Sequence, residues 1–225
     1  MKDILGFLSS IACAKVISND IHYSDYTPID FSVTNERLLL AKLETAADYN
    51  NYIEEYLELH RAKIAYGGYL ETRNLYKRST VFNTLDSDER NIHIGLDLWI
   101  NESAPVYAAL SGKIHSFQNN KGLGDYGPTL ILEHHIENYT FYTLYGHLSS
   151  ESLKHLKVGD FITQGEQIAT LGLPSENGNY SQHLHFQIII DMENKFGDYP
   201  GVCSSNKLDF YSKNCPDPNV LLKIY

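Results

Sequence analysis

Two short motifs carry spacings with chemical meaning in this 225-residue chain, which holds ten histidines. His93-Ile94-Gly95-Leu96-Asp97 sets an imidazole and a carboxylate four positions apart, and His183-Leu184-His185 sets two imidazoles two positions apart. On a strand, residues i and i+2 face the same side, so His183 and His185 point into one space with α-carbons ~6.7 Å apart. One of the two can bind a metal ion while the other stands beside the reacting water. His93 and Asp97 would lie ~13 Å apart in a fully extended chain, so both reach one ion only if the backbone bends between them. Gly95 permits that bend. Two imidazoles and one carboxylate leave a fourth tetrahedral position open, which is the arrangement of a catalytic zinc site rather than a structural one.

A further imidazole, His147 in Leu144-Tyr145-Gly146-His147-Leu148, ends a predicted strand and falls between the two motifs in chain order. Alone it reads as a turn histidine satisfied by backbone; beside the two motifs it becomes a candidate for the same chemistry. Glu133-His134-His135 is a rival cluster, but strand alternation puts His134 and His135 on opposite faces, so structural or supporting roles are expected for them. His22, His60, His115 and His155 have no partner at useful spacing. Gly122-Leu123-Gly124-Asp125-Tyr126-Gly127 imitates a phosphate-cradling loop, yet a strand rather than a helix follows it, which makes it a hairpin loop. No Gly-x-Ser-x-Gly elbow is present, and neither Cys203 nor Cys215 has a nucleophile's local context.

The elements that must position these groups read as strands. Val106 to Phe117, Thr129 to His135, Thr140 to His147, Phe161 to Leu171 and His183 to Ile190 are rich in β-branched and aromatic residues and are separated by Gly, Asn and Pro turns. Even spacing without intervening helices predicts a mainly β fold, an antiparallel sheet or sandwich. The first third reads as helical. Apolar residues follow a helical period from Asn35 to Ala47, and again through Ile53, Tyr56, Leu57 and Ile64, with Asp48 as a cap and Gly67-Gly68 as a stop. We therefore divide the chain into an N-terminal helical extension, 1–68, and a β domain, 69–225, whose tail from Asp191 onward is expected to be mostly loop wrapping the sheet.

Composition excludes several classes. Apolar residues at 43% and charged residues at 20% describe a folded chain rather than a disordered one. The net charge of −10 gives no source of phosphate neutralisation, so neither nucleic acid nor an anionic membrane surface is an expected partner. No stretch approaches the ~20 apolar residues of a spanning helix, so no integral membrane segment is expected. Ile4 to Ile17 is interrupted by Ser9, Ser10 and Lys15. It also reads as a short signal peptide with Cys13 as a lipid-modified cysteine, against which stand Asp3 beside Lys2 and the Ser-Ile-Ala that precedes Cys13. A cytoplasmic location is favoured, with a periplasmic or secreted one as the alternative. Cys203 and Cys215 can close a loop and leave Cys13 free, or all three remain reduced thiols.

The segments HIGLD, PVYAALSGKI, LYGHLS, VGDFITQGEQIATLG and HLHFQI, in this order between about Arg90 and Ile190, resemble the M23 family of zinc metallopeptidases, the lysostaphin-like endopeptidases that cut peptidoglycan peptides. The resemblance implies a small antiparallel β domain with an open groove, His93, Asp97 and His185 as zinc ligands, and His147 and His183 flanking the attacking water. It also implies a peptide or muropeptide substrate with small side chains. GGYLETRNLY, and GDYPGV with CPDPN in the tail, are more similar to a subgroup in which such a domain occurs beside kinase-like and aminotransferase domains in large intracellular proteins; PIDFSVTN would then belong to a domain extension. Asn177, Tyr180 and Gln182 stand where the family commonly has small residues and are expected to narrow or reshape the groove. Two other readings compete with a zinc-dependent endopeptidase. One is an inactive M23 fold acting as a regulatory or binding module. The other is a biotinyl or lipoyl carrier, whose half-motifs VYAALSGKI and VGDFITQGEQIATLG are similar to, with Lys113 after Ser111-Gly112 as the attachment lysine but without the usual flanking methionines. The oligomeric state is not legible.

Overall fold

The period-2 pattern of the strands resolves into two faces with different tasks. The computed structural model describes residues 3–41, 43–74, 89–100 and 103–225; the last two residues of GGYLETRNLY lie outside them. Among the described residues twelve strands are formed: β1 (Tyr26–Pro28), β2 (Ile64–Gly67), β3 (Ile92–His93), β4 (Leu96–Trp99), β5 (Pro105–Tyr107), β6 (Gly112–Asn120), β7 (Gly127–Ile136), β8 (Tyr139–Gly146), β9 (Phe161–Ile162), β10 (Gln167–Thr170), β11 (His183–Ile189) and β12 (Val202–Cys203). Eight of them make one sheet in the order β1-β2-β4-β11-β8-β7-β6-β9, antiparallel throughout except for the parallel β1–β2 pair. The fold is mainly β, as the strand pattern predicts.

On one face of this sheet Leu96, Leu98, Leu130, Leu132, Phe141, Tyr145, Leu184, Phe186 and Ile188 form the main core. It is closed over by Val106, Ile168 and Ala169 of the small β5–β10 sheet, by Phe7 and Leu8 of helix α1 (Ile4–Ser10), and by Leu221 and Leu222 near the C-terminus. The intervening positions Asp97, Trp99, His183, His185 and Gln187 therefore face the other side. Two smaller cores cover parts of that second face. Ile53 and Leu57 of the third helix pack with Phe31 on Ala65 and Trp99 at one end, and Tyr199, Cys203 and Cys215 of the tail pack on Ile131, Leu144 and Ile189 at the other. The gap between them leaves a groove onto which the buried polar residues of β4 and β11 face.

The structure departs from the sequence-based expectations in four places. Helix α2 (Glu36–Ala41) stops short of Ala47, and α3 (Ala46–His60) begins at Thr45 in a reciprocal capping box, with Asp48 as the third helical residue rather than the cap. That helix ends at Arg61, which takes the left-handed conformation at φ 52°, and Ile64 opens β2 instead of continuing the helix. A short apolar run bordering a helix does not reveal its own period, which is why Ile64–Gly67 went unread as a strand. The predicted strands at 106–117 and 161–171 each divide in two, because β5 and β10 leave the main sheet to pair with each other. The tail is loop over a little more than half its length, as expected, but it also holds β12, α4 (Leu208–Asn214) and α5 (Asn219–Leu222). Lys113 lies inside β6, paired with Glu133 on one side and Phe161 on the other, so it does not occupy the turn a carrier lysine needs. Cys13, Cys203 and Cys215 are free thiols. No helix among the described residues is long and apolar enough to cross a membrane.

His134 shows what the rival cluster does. It is fully buried, donates from Nδ1 to the Ser111 carbonyl at 2.9 Å and accepts at Nε2 from Thr143 Oγ1 at 2.7 Å, which ties β7, β8 and the turn before β6 together. Burial pushes its pKa down from the ordinary 6.5 to about 4. The unfolded chain therefore binds a proton that the folded chain refuses, and the stability this group contributes above pH 6.5 is lost as pH falls towards 4. The loss should reach about 3 kcal/mol for a shift of this size. His134→Gln can make both bonds without titrating, so its denaturation midpoint should fall less between pH 6.5 and 4 than that of the parent protein. Equal slopes for the two would refute this role.

Candidate functional site

Register does most of the positioning. Antiparallel pairing of β4 with β11 sets His185 directly opposite Asp97 and His183 opposite Trp99, so three of the predicted site residues share one face by strand geometry alone. His93 comes from β3, which pairs with β12 outside the main sheet and is held by hydrogen bonds from His93 N to Glu71 O (2.9 Å) and from Leu70 N to His93 O (2.8 Å). The chain thus bends between His93 and Asp97, as predicted, but Gly95 has a more specific task than bending. A Cβ there would come within 2.4 Å of the His185 ring, so only glycine leaves the imidazole its place.

His147 reaches the site by a turn that alternation does not foresee. Tyr145 belongs to the main core, and simple alternation would send His147 to that same face. Instead His147 adopts a left-handed conformation at φ 60° and lies over the second face, its ring centroid 4.2 Å from that of His183. Its backbone is fixed by bonds from His147 N to Tyr126 O (3.0 Å) and from Gly172 N to His147 O (2.9 Å).

At the centre, His93 Nε2 and His185 Nδ1 lie 3.3 Å and 3.1 Å from Asp97 Oδ1 and 2.9 Å from each other, with all three residues buried. Their partners assign the protons. The Gly68 carbonyl, 2.8 Å from His93 Nδ1, can only accept, so that nitrogen carries the hydrogen. Gln187 donates its amide to Pro200 O at 3.1 Å, which turns Oε1 towards His185 Nε2 at 2.9 Å and places the second hydrogen there. Two bare ring nitrogens and a carboxylate oxygen then converge with no proton between them, and their donor atoms all lie within 4.8 Å of one another. Such a cluster is repulsive until a cation joins it. Two nitrogens and one oxygen, each buttressed by an outer hydrogen bond, fit zinc.

Electrostatics support the same reading. Burial raises the cost of a charge on Asp97, yet the neighbouring His93, Arg73 and His183 hold its carboxyl well below the usual carboxylate range. Burial pushes His93 down to about 4 and lowers His147 and His183 as well, so these rings are neutral and available as electron-pair donors. His147 donates from Nδ1 to Asn177 O and His183 from Nδ1 to Ser181 O, each at 2.8 Å, which leaves both Nε2 atoms free; that of His183 is 3.8 Å from Asp97 Oδ1.

These groups line a groove of about 360 Å³. Phe31 and Tyr49 of the first third form one wall, and Asp198, Tyr199 and Pro200 of the tail form the other. Tyr180 donates to Gly124 O at 2.8 Å and sets its ring 5.1 Å from that of His147, while Asn177 bonds the backbone of Gly172 and Tyr180, so these two shape the groove by fixing the loop that carries the His147 acceptor. Gln182 lies elsewhere, in a shallow depression with Leu123 and Pro174. Sequence reasoning missed three groups at the centre. Gln187 was findable, since it follows His185 by two residues on the same strand face. Tyr126, whose hydroxyl is 3.3 Å from His185 Nε2, sits in the β6–β7 hairpin loop predicted from sequence, where no spacing links it to the histidines. Arg73, bonded to Asp97, carries no local signal.

Residues 91–196 match the family model described as Peptidase family M23. Among solved structures, the catalytic domain of the antimicrobial peptidase lysostaphin from Staphylococcus simulans is similar over 54% of this chain and 80% of that one, at 28% identity and a TM-score of 0.37. The structure described as LytU is similar over 61% and 81%, at 24% identity and 0.36. A chain of the SpoIIIAH and SpoIIQ complex is similar over 53% and 72%, at 24% identity and 0.37. No curated protein matches this chain.

Proposed function

With residues 91–196 belonging to peptidase family M23, we propose that the protein is a zinc-dependent endopeptidase that hydrolyses peptide bonds between small residues, with peptidoglycan-derived peptides as its substrate class. One observation carries the reading: three electron-pair donors, His93 Nε2, Asp97 Oδ1 and His185 Nδ1, converge on one point with two further imidazoles facing the same space. His93, Asp97 and His185 would hold the zinc. Bound there, it supplies Lewis acidity, polarising a carbonyl and lowering the pKa of water to about 7.

The remaining work falls to His147 and His183. Because backbone carbonyls occupy both Nδ1 atoms, each ring offers Nε2 to the groove. Either Nε2 can take the proton of the water as its oxygen bonds to the carbonyl carbon, and can return that proton to the amide nitrogen as the C–N bond breaks. Trp99 stacks on His183 at 5.6 Å and Tyr126 packs against His147 and His185, so rotation of the imidazoles is restricted. A groove of about 360 Å³ walled by these rings suits glycine and alanine better than larger side chains.

A net charge of −10 supplies no long-range attraction to anionic wall polymers. Zinc-loaded protein incubated with short glycine- or alanine-rich peptides and soluble muropeptides should therefore yield cleavage products by mass spectrometry, whereas intact cell walls should be cleaved slowly or not at all. Efficient wall lysis would contradict the substrate assignment. No cleavage of any peptide by fully metallated protein would replace the enzyme with a regulatory or binding module.

A further inference from the structure

Asp97 presents only one oxygen to the centre. Oδ1 lies 3.3 Å and 3.1 Å from the two inward ring nitrogens, while Oδ2 turns away and accepts from Arg73 Nη1 at 2.6 Å. The Arg73 and Asp97 side chains are 3% and 1% exposed, so solvent does not compete for the contact. The guanidinium is itself aimed. Its Nε donates to Glu71 Oε2, the other Glu71 oxygen accepts the Phe31 backbone N–H at 2.9 Å, and its face lies over the Trp99 ring at 5.7 Å. Backbone pairing fixes the same stretch against β3, with Arg73 N donating to Asn91 O at 2.8 Å and Thr72 bridging Ile92. A planar fork that bonds two carboxylates through different nitrogens is a task for arginine; the single ammonium of lysine cannot copy it.

We propose that Arg73 is a positioning residue that restricts Asp97 to one-oxygen ligation and withdraws part of its negative charge, with Glu71 as the group that aims it. The inference rests on the zinc reading above. Left without Arg73, the free Oδ2 would be drawn to the same cation as an additional, fifth ligand and would crowd the position that the reacting water needs. A carboxylate shared with a guanidinium also donates less charge to the ion, which leaves the ion the stronger Lewis acid. Glu71 and Arg73 both precede residues 91–196, so the metal centre is completed by a segment outside the family match. Phe31, tied to Glu71 through its backbone, lines the groove as well. The wall of the groove and the presentation of the ligand are thus set by one hydrogen-bonded chain.

Cobalt(II) in place of zinc reports coordination directly, because a four-coordinate site absorbs strongly in the visible and a five-coordinate site weakly. The wild-type protein should take up one cobalt and show the intense spectrum. Arg73→Met should keep the cobalt, show the weaker five-coordinate bands, and lose about 10–100-fold in zinc-dependent turnover with KM little changed. Glu71→Gln retains an acceptor for Phe31 N–H but loosens the guanidinium; it should shift the spectrum the same way by less, and it decides the matter if Arg73→Met does not fold. A cobalt-loaded, folded variant with the wild-type spectrum would overturn the proposal and leave the zinc reading standing. Failure of the wild-type protein to bind cobalt or zinc would overturn both.

Discussion

His147→Ala and His183→Ala should each retain zinc and lose turnover by about 10²–10⁴-fold, the contribution of a positioned general acid or base. The reason is geometric. Neither ring shares the three-donor cluster formed by His93, Asp97 and His185, yet both offer Nε2 to the same groove. The loss should appear in kcat rather than KM, since these rings act on the moving proton and not on the resting peptide. Asn177 contacts His147 through a backbone carbonyl, so side-chain changes there should act only through the loop. Zinc loss from His183→Ala, with His185→Ala still metallated, would mean that the roles of the pair are reversed.

Substitution of the cluster itself should be more severe. His93→Ala, Asp97→Ala and His185→Ala should each weaken zinc retention by more than about 100-fold, because even the outer partners of a ligand typically contribute 10–100-fold. Asp97→Ala has a second consequence. It removes one of the two carboxylates bonded by the buried Arg73 guanidinium and leaves Glu71 as the other, so the cost should fall below the about 3–5 kcal/mol typical of breaking a buried pair outright. A drop in melting temperature should therefore accompany metal loss in Asp97→Ala and be smaller in Asp97→Asn, which still offers Arg73 an oxygen. Zinc bound stoichiometrically by all three alanine variants would remove these residues from the metal site.

Much of this site can be read from the chain before any coordinates exist, and the reasons for the failures are physical. The two-residue period of a strand is a local property, so the shared direction of His183 and His185 follows from sequence spacing. Which residue of β4 faces His185 is a matter of register, set by distant pairing and invisible locally. His147 illustrates a different limit: alternation predicts the wrong face, and one left-handed residue corrects it. Spacing predicts the bend at Gly95 but not its second task, which is to leave room for the His185 ring. Arg73 and the Phe31 wall are long-range acquisitions, brought in by β2 and by the backbone pairing of residues 71–73 with 91–93. The helices of the first third announced themselves by period, but the two short strands beside them did not, since three or four residues are too few to show one.

The central claim is that the three converging donors exist to hold one metal ion that the chemistry requires. Protein stripped with a chelator and titrated with zinc, with bound metal counted by native mass spectrometry and cleavage of a glycine- or alanine-rich peptide followed in the same samples, tests it most directly. One zinc per chain, no cleavage by the stripped protein, and activity that rises with occupancy and saturates at one equivalent are the expected results. Undiminished cleavage without metal, or a folded chain that takes up no zinc, would contradict it.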